Sequence, residues 1–77
     1  MIKLKAKLLG PEFVTRWPNG VTREEPFWEV NIIIKINANS FHYSSRFISK
    51  PSLRDQHLAI QVAIDRALAL ELSNGQG

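Results

Sequence analysis

From Ile2 to Leu9 the chain alternates, with Ile2, Leu4, Ala6 and Leu8 on one side and Lys3, Lys5 and Lys7 on the other. A period of two predicts a strand with one wetted face. Gly10-Pro11 predicts its end. From Phe27 to Asn37 the alternation returns with larger side chains. Trp28, Val30, Ile32, Ile34 and Ile36 share one face, and Glu29, Asn31, Ile33 and Lys35 the other. β-branched residues suit a packed, pleated surface, so this segment is expected at the centre of a sheet. Asn37-Ala38-Asn39-Ser40 predicts a tight connection. Phe41 to Ile48 then predicts a third strand. Phe41, Tyr43 and Phe47 face the core with Ser45 between them, and His42, Ser44 and Arg46 face outward.

Glu12 to Pro26 has no single reading. Glu12 to Trp17 suits a short edge strand, Pro18-Asn19-Gly20 a turn, and Val21 to Glu24 a return strand. A long irregular loop satisfies the same residues.

The period changes after Pro51. Ser52-x-x-Asp55 resembles a capping box, its hydroxyl placed to accept a backbone N–H and its acid near the positive end of a helix dipole. A helix is expected from Leu53 to about Leu72, roughly 30 Å long. Ser73-Asn74-Gly75-Gln76-Gly77 is expected to end it. The expected fold is α+β: an antiparallel three-stranded sheet packed on one long C-terminal helix, in the order β-β-β-α. An extra hairpin would raise the strand count to four or five. Residues 1–73 form one domain in this reading, and residues 74–77 a flexible tail.

The expected helix has more apolar surface than one sheet needs. Leu53, Ile60, Ile64, Ala67 and Leu68 fall on one side, with His57 among them and turned inward. Leu58, Val62 and Ala69 cluster on the opposite side, flanked by Ala59 and Leu70 and interrupted by Asp55, Asp65 and Arg66. Burying Leu58, Val62 and Leu70 would contribute roughly 1.5–3 kcal/mol each. Two covers are available. Phe13, Val14, Trp17 and Val21 of the Phe13–Pro26 segment can wrap over the stripe, or a second protein surface can. Trp17 is either part of that lid or an exposed anchor with Arg16 and Arg23 nearby, since Trp and Arg are common binding hot spots. Candidate partner-binding residues are therefore Leu58, Val62, Ala69, Leu70, Trp17 and Arg16.

The chain's 77 residues carry a formal charge of +3, and this charge is unevenly placed. The outward sheet face holds Lys3, Lys5, Lys7, Lys35 and Arg46, with His42, against the single acid Glu29. Five cations against one acid give +4 there; the other five cations meet six acids, giving −1. Lys on an edge strand discourages aggregation. The same face also suits an anionic partner, either nucleic acid or an acidic protein. Readers of single strands display aromatic platforms, whereas Trp28, Phe41, Tyr43 and Phe47 are assigned here to the core face.

Candidate chemistry is sparse. With no Cys there is no thiolate nucleophile, disulfide or Cys-based metal site. His42 and His57 lack an H-x-x-x-H spacing or a carboxylate cluster, so no metal or other cofactor is expected. Asp55 and His57, two apart, do not face each other on a helix. Ser44 and Ser45 sit in no nucleophile elbow, and Pro18-Asn19-Gly20 is not followed by a phosphate loop. No enzymatic activity is expected. The longest apolar run, Ala67 to Leu70, is far short of the roughly 20 residues that span a bilayer. The Lys-alternating N-terminus has no signal-peptide apolar region. A cytoplasmic protein without membrane contact is expected.

The β-β-β-α order, with Ala59, Ala63 and Ala67-Leu68 in the last helix, resembles the C-terminal part of double-stranded-RNA-binding domains. That resemblance implies shape recognition of A-form duplex. It covers about half of the chain; the family's basic pair at the helix start falls on Gln56 and His57, and its first helix has no counterpart. The same element order occurs in small antitoxin, immunity and phage-encoded inhibitor proteins, an analogy of fold alone. The functional expectation is a small non-catalytic module binding another protein, or its own copy, stoichiometrically. Such an inhibitor, antitoxin or immunity-like protein would act in the host cell if phage-encoded. The alternative is a nucleic-acid-binding module using the basic sheet face.

Overall fold

The computed structural model describes residues 2–17, 20 and 22–76, and of Arg16 and residues 74–76 only the backbone. Its order is β1 (Ile2–Arg16), β2 (Arg23–Ile36), β3 (Asn39–Phe47) and α1 (Leu53–Gln76). The strands form one antiparallel sheet in the order β1-β2-β3, with the helix packed against it. This is the expected α+β architecture with three strands.

The ambiguous segment is paired as the hairpin reading expected, Thr15 with Glu24 and Arg16 with Arg23, but its limbs continue the first two strands and add none to the sheet. β1 passes Gly10-Pro11 and continues to Arg16, and β2 begins at Arg23, so the two form a long antiparallel arm. Pairing steps from Leu9↔Glu29 to Glu12↔Phe27, leaving Gly10 and Pro11 opposite Trp28 alone. This is a bulge, in which two residues oppose one and the strand bends without ending. The sequence suits it. Gly10 has φ +138° across a cis peptide bond to Pro11, and a Cβ there would lie 2.7 Å from the Trp28 ring. Only glycine leaves room for the indole to lie over the backbone. The Pro18-Asn19 part of the expected turn, with Val21, lies outside the described residues.

The β2–β3 connection is shorter than expected. Ile36 pairs with Asn39, so Asn37-Ala38 alone makes the turn. Asn37 takes φ +56°, a left-handed conformation that Asn tolerates better than most residues.

The core is built on the inner face of β2, where Val30, Ile32, Ile34 and Ile36 are buried against Ala63 and Ala67 of α1. Leu8, Phe41, Tyr43, Phe47, Ala59, Ile60 and Ile64 pack around them. Each fully buried Ile or Val contributes roughly 1.5–3 kcal/mol. The helix begins as its sequence signals. The Asp55 amide donates to Ser52 Oγ at 3.1 Å, and the Gln56 amide to the Ser52 carbonyl at 3.0 Å. It continues through Gln76, past the expected end near Leu72, and residue 77 of the expected tail lies outside the described residues.

Three helix positions differ from expectation. His57, expected inward, is exposed, and so are Leu53 and Leu68, both expected on the packed side. Small residues set the contact. Ala63 and Ala67 let the helix backbone approach the Ile-rich strand, so the sheet-facing arc centres on them. His57 then lies about 120° around the helix from Ala63, outside that arc.

Candidate functional site

The two sequence-predicted surfaces lie on different sides of the molecule. The basic residues are held by strand alternation and register. Lys3 pairs with Lys35, Lys5 with Ile33 and Lys7 with Asn31; on the far side Lys35 pairs with Ser40, Ile33 with His42 and Glu29 with Arg46. Direct cross-strand partners share a face, so Lys3, Lys5, Lys7, Lys35, His42 and Arg46 all lie on the sheet face away from the helix. Each is exposed. Lys3, Lys5, Lys35, Ser40 and His42 surround an open depression of about 440 Å³ floored by Ile33. Glu29 on this face is engaged, since Arg46 Nε lies 3.5 Å from its Oε1; register places Glu12 and Glu25 of the arm on the same face. Arg46 also lies over the Phe27 ring, 4.8 Å from its centroid, which occupies the aromatic of that face. The unshared charge therefore sits at Lys3, Lys5, Lys7 and Lys35.

The apolar candidates lie on the helix side. Leu58, Val62 and Leu70 are 55%, 49% and 50% exposed, and Ala69 is exposed. The described residues of the Phe13–Pro26 segment do not cover them. It continues the sheet as an arm, and its Phe13 and Trp17 are 63% and 74% exposed. Trp17 thus stands at the arm's end, apart from the helix stripe. Arg16 is in β1 beside it, paired through its backbone with Arg23; its side chain lies outside the described residues.

A third apolar region escaped the sequence reading. Ile2, Leu4 and Ala6 are on the inner face, opposite Ile36, Ile34 and Ile32, yet all three are exposed. The helix packs mainly over β2 and β3 and leaves the Ile2–Ala6 stretch of β1 exposed. Width was the available signal. Three strands at about 4.8 Å spacing are wider than one helix of about 10 Å can shield. The direction of the helix's offset follows from one contact. Asn39 Nδ2 of β3 donates to Glu71 Oε2 at 2.7 Å. Glu71 lies about 80° from Ala63 on the helix wheel, and Leu70 about 20° in the opposite sense. The Glu71 side therefore leans over β3, and the Leu70 side overhangs β1. Leu70 sits level with Ile36 and Ile2, because Asn39, Ile36 and Ile2 are successive cross-strand neighbours.

Among the described residues no group of three or more His, Cys, Asp or Glu could hold a metal ion. No helix is long and apolar enough to cross a membrane. No family model matches the chain, and no curated protein or solved structure shows significant similarity to it.

Proposed function

We propose that the protein works as a non-catalytic association module, binding a protein partner through the apolar surface of α1 and β1. One observation carries this reading: Leu58, Val62 and Leu70 of α1 and Ile2, Leu4 and Ala6 of β1 are all exposed, so apolar side chains of both elements stand without a cover among the described residues. The molecule is correspondingly open. A compact monomer of 8.8 kDa exposes about 4,800 Å² by the usual size scaling, whereas this chain exposes 6023 Å². Its radius of gyration is 15.9 Å, where a compact chain of this length has about 11–12 Å. An inhibitor, antitoxin or immunity-like protein is the class of function that fits stoichiometric binding without chemistry.

The test compares two baits, the native chain and the Leu58→Asp/Val62→Asp double variant, in affinity capture with nuclease present. The reading expects protein partners, its own copy included, to be lost with the variant while its far-UV circular dichroism is unchanged. Equal capture by both baits sinks it.

A second reading, nucleic acid bound on the sheet face, is supported by the Lys3–Lys35 pair. Like charges directly opposite each other cost stability unless an anion offsets them. Duplex binding that falls steeply with added salt, and is lost in Lys3→Glu/Lys5→Glu, would support it.

A further inference from the structure

We infer that the helix surface is closed by a second copy of this chain, in a two-fold dimer whose α1 helices pack antiparallel. The inference rests on the association reading above and names its occupant. Leu58, Val62, Asp65, Ala69 and Leu72 recur at spacings of four, three, four and three, the seam of a helix pair. Leu58, Val62 and Ala69 lie about 100–140° from the buried Ala63, so the seam points away from the chain's own sheet. Every member is exposed.

The seam complements itself in one direction only. With a two-fold axis between Asp65 and Arg66, Val62 meets Ala69 of the second copy, Leu58 falls within one residue of Leu72, and Asp65 meets Arg66. The two oppositely charged residues at the centre are then paired twice by symmetry, as an isologous interface requires. Asp65 is held ready on its own helix, where Gln61 Nε2 donates to its Oδ1 at 3.1 Å. A parallel pairing would instead bring Asp65 beside Asp65 and Arg66 beside Arg66.

The competing arrangement favours the same occupant. Edge-to-edge pairing of two β1 strands is another symmetric choice. It would set Lys3, Lys5 and Lys7 against the same three lysines of the second copy, and like charges across strands repel. Packing through the helix backs keeps every lysine on an outer face.

The test is sedimentation equilibrium of the native chain, Asp65→Arg, Arg66→Asp, and an equimolar mixture of those two variants. Both substitutions are at exposed positions, and circular dichroism monitors the fold. The inference expects a native dimer, a dissociation constant raised on the order of ten-fold in each single variant, and recovery in the mixture, where opposite charges again meet. A dimer unaffected by either change overturns it, and so does weakening without recovery. A native chain that stays monomeric also overturns it. If Leu58→Asp/Val62→Asp then still abolishes capture of a different protein, the association reading survives; if it does not, both fail.

Discussion

Gly10 and Trp28 show how one residue position shapes the molecule. The bulge keeps β1 running into the arm, and it exists because the indole occupies the space a side chain at position 10 would need. Gly10→Ala should therefore destabilise the fold by about 1–3 kcal/mol in urea unfolding. In a Trp28→Ala background the cost should fall, since only the backbone strain at φ +138° remains. Equal costs in both backgrounds would show that the ring is not what excludes a side chain. Tyr43 makes a second residue-scale case. Its hydroxyl is buried with no hydrogen-bond partner among the described residues. Tyr43→Phe removes an unsatisfied polar atom while keeping the ring, so stability should rise by up to about 1–3 kcal/mol. A loss of stability on that substitution would mean the hydroxyl is satisfied in solution.

Sequence legibility varied by element. The faces of β2 and β3 were readable because alternation decides them, and Val30, Ile32, Ile34 and Ile36 are buried as their spacing implies. The helix start was readable from Ser52 and Asp55, a local hydrogen-bonding pattern. The course of β1 past Gly10-Pro11 was not, because a Gly-Pro pair marks a strand end or a bulge equally well until the Trp28 ring is placed. The exposure of Ile2 and Leu4 was hidden for a different reason. Alternation tells which face a side chain is on, not whether a helix reaches far enough to cover it. The basic face was legible residue by residue; register added that Lys3 stands opposite Lys35. Lys3→Glu should relieve that repulsion and stabilise the sheet by about 0.2–1 kcal/mol at low salt, with the gain shrinking as salt screens it. A gain of equal size at high salt would point to a cause other than charge.

At the scale of the whole molecule, one helix and three strands leave a body of 51 × 27 × 16 Å with apolar residues open on one side and lysines on the other. The single core is centred on β2, and the helix turns a second apolar seam outward. A dimer closed through that seam would carry its two basic faces at opposite ends, so self-association and anion binding would not compete. Leu58→Asp/Val62→Asp should then abolish dimers while leaving the unfolding transition of the monomer within about 0.5 kcal/mol, as expected for exposed substitutions. The most direct measurement is the weight-average mass of the native chain by sedimentation equilibrium at micromolar concentration. The account predicts a concentration-dependent rise towards twice the 8.8 kDa monomer mass, lost in Leu58→Asp/Val62→Asp. A native chain that stays at 8.8 kDa throughout the range would contradict it.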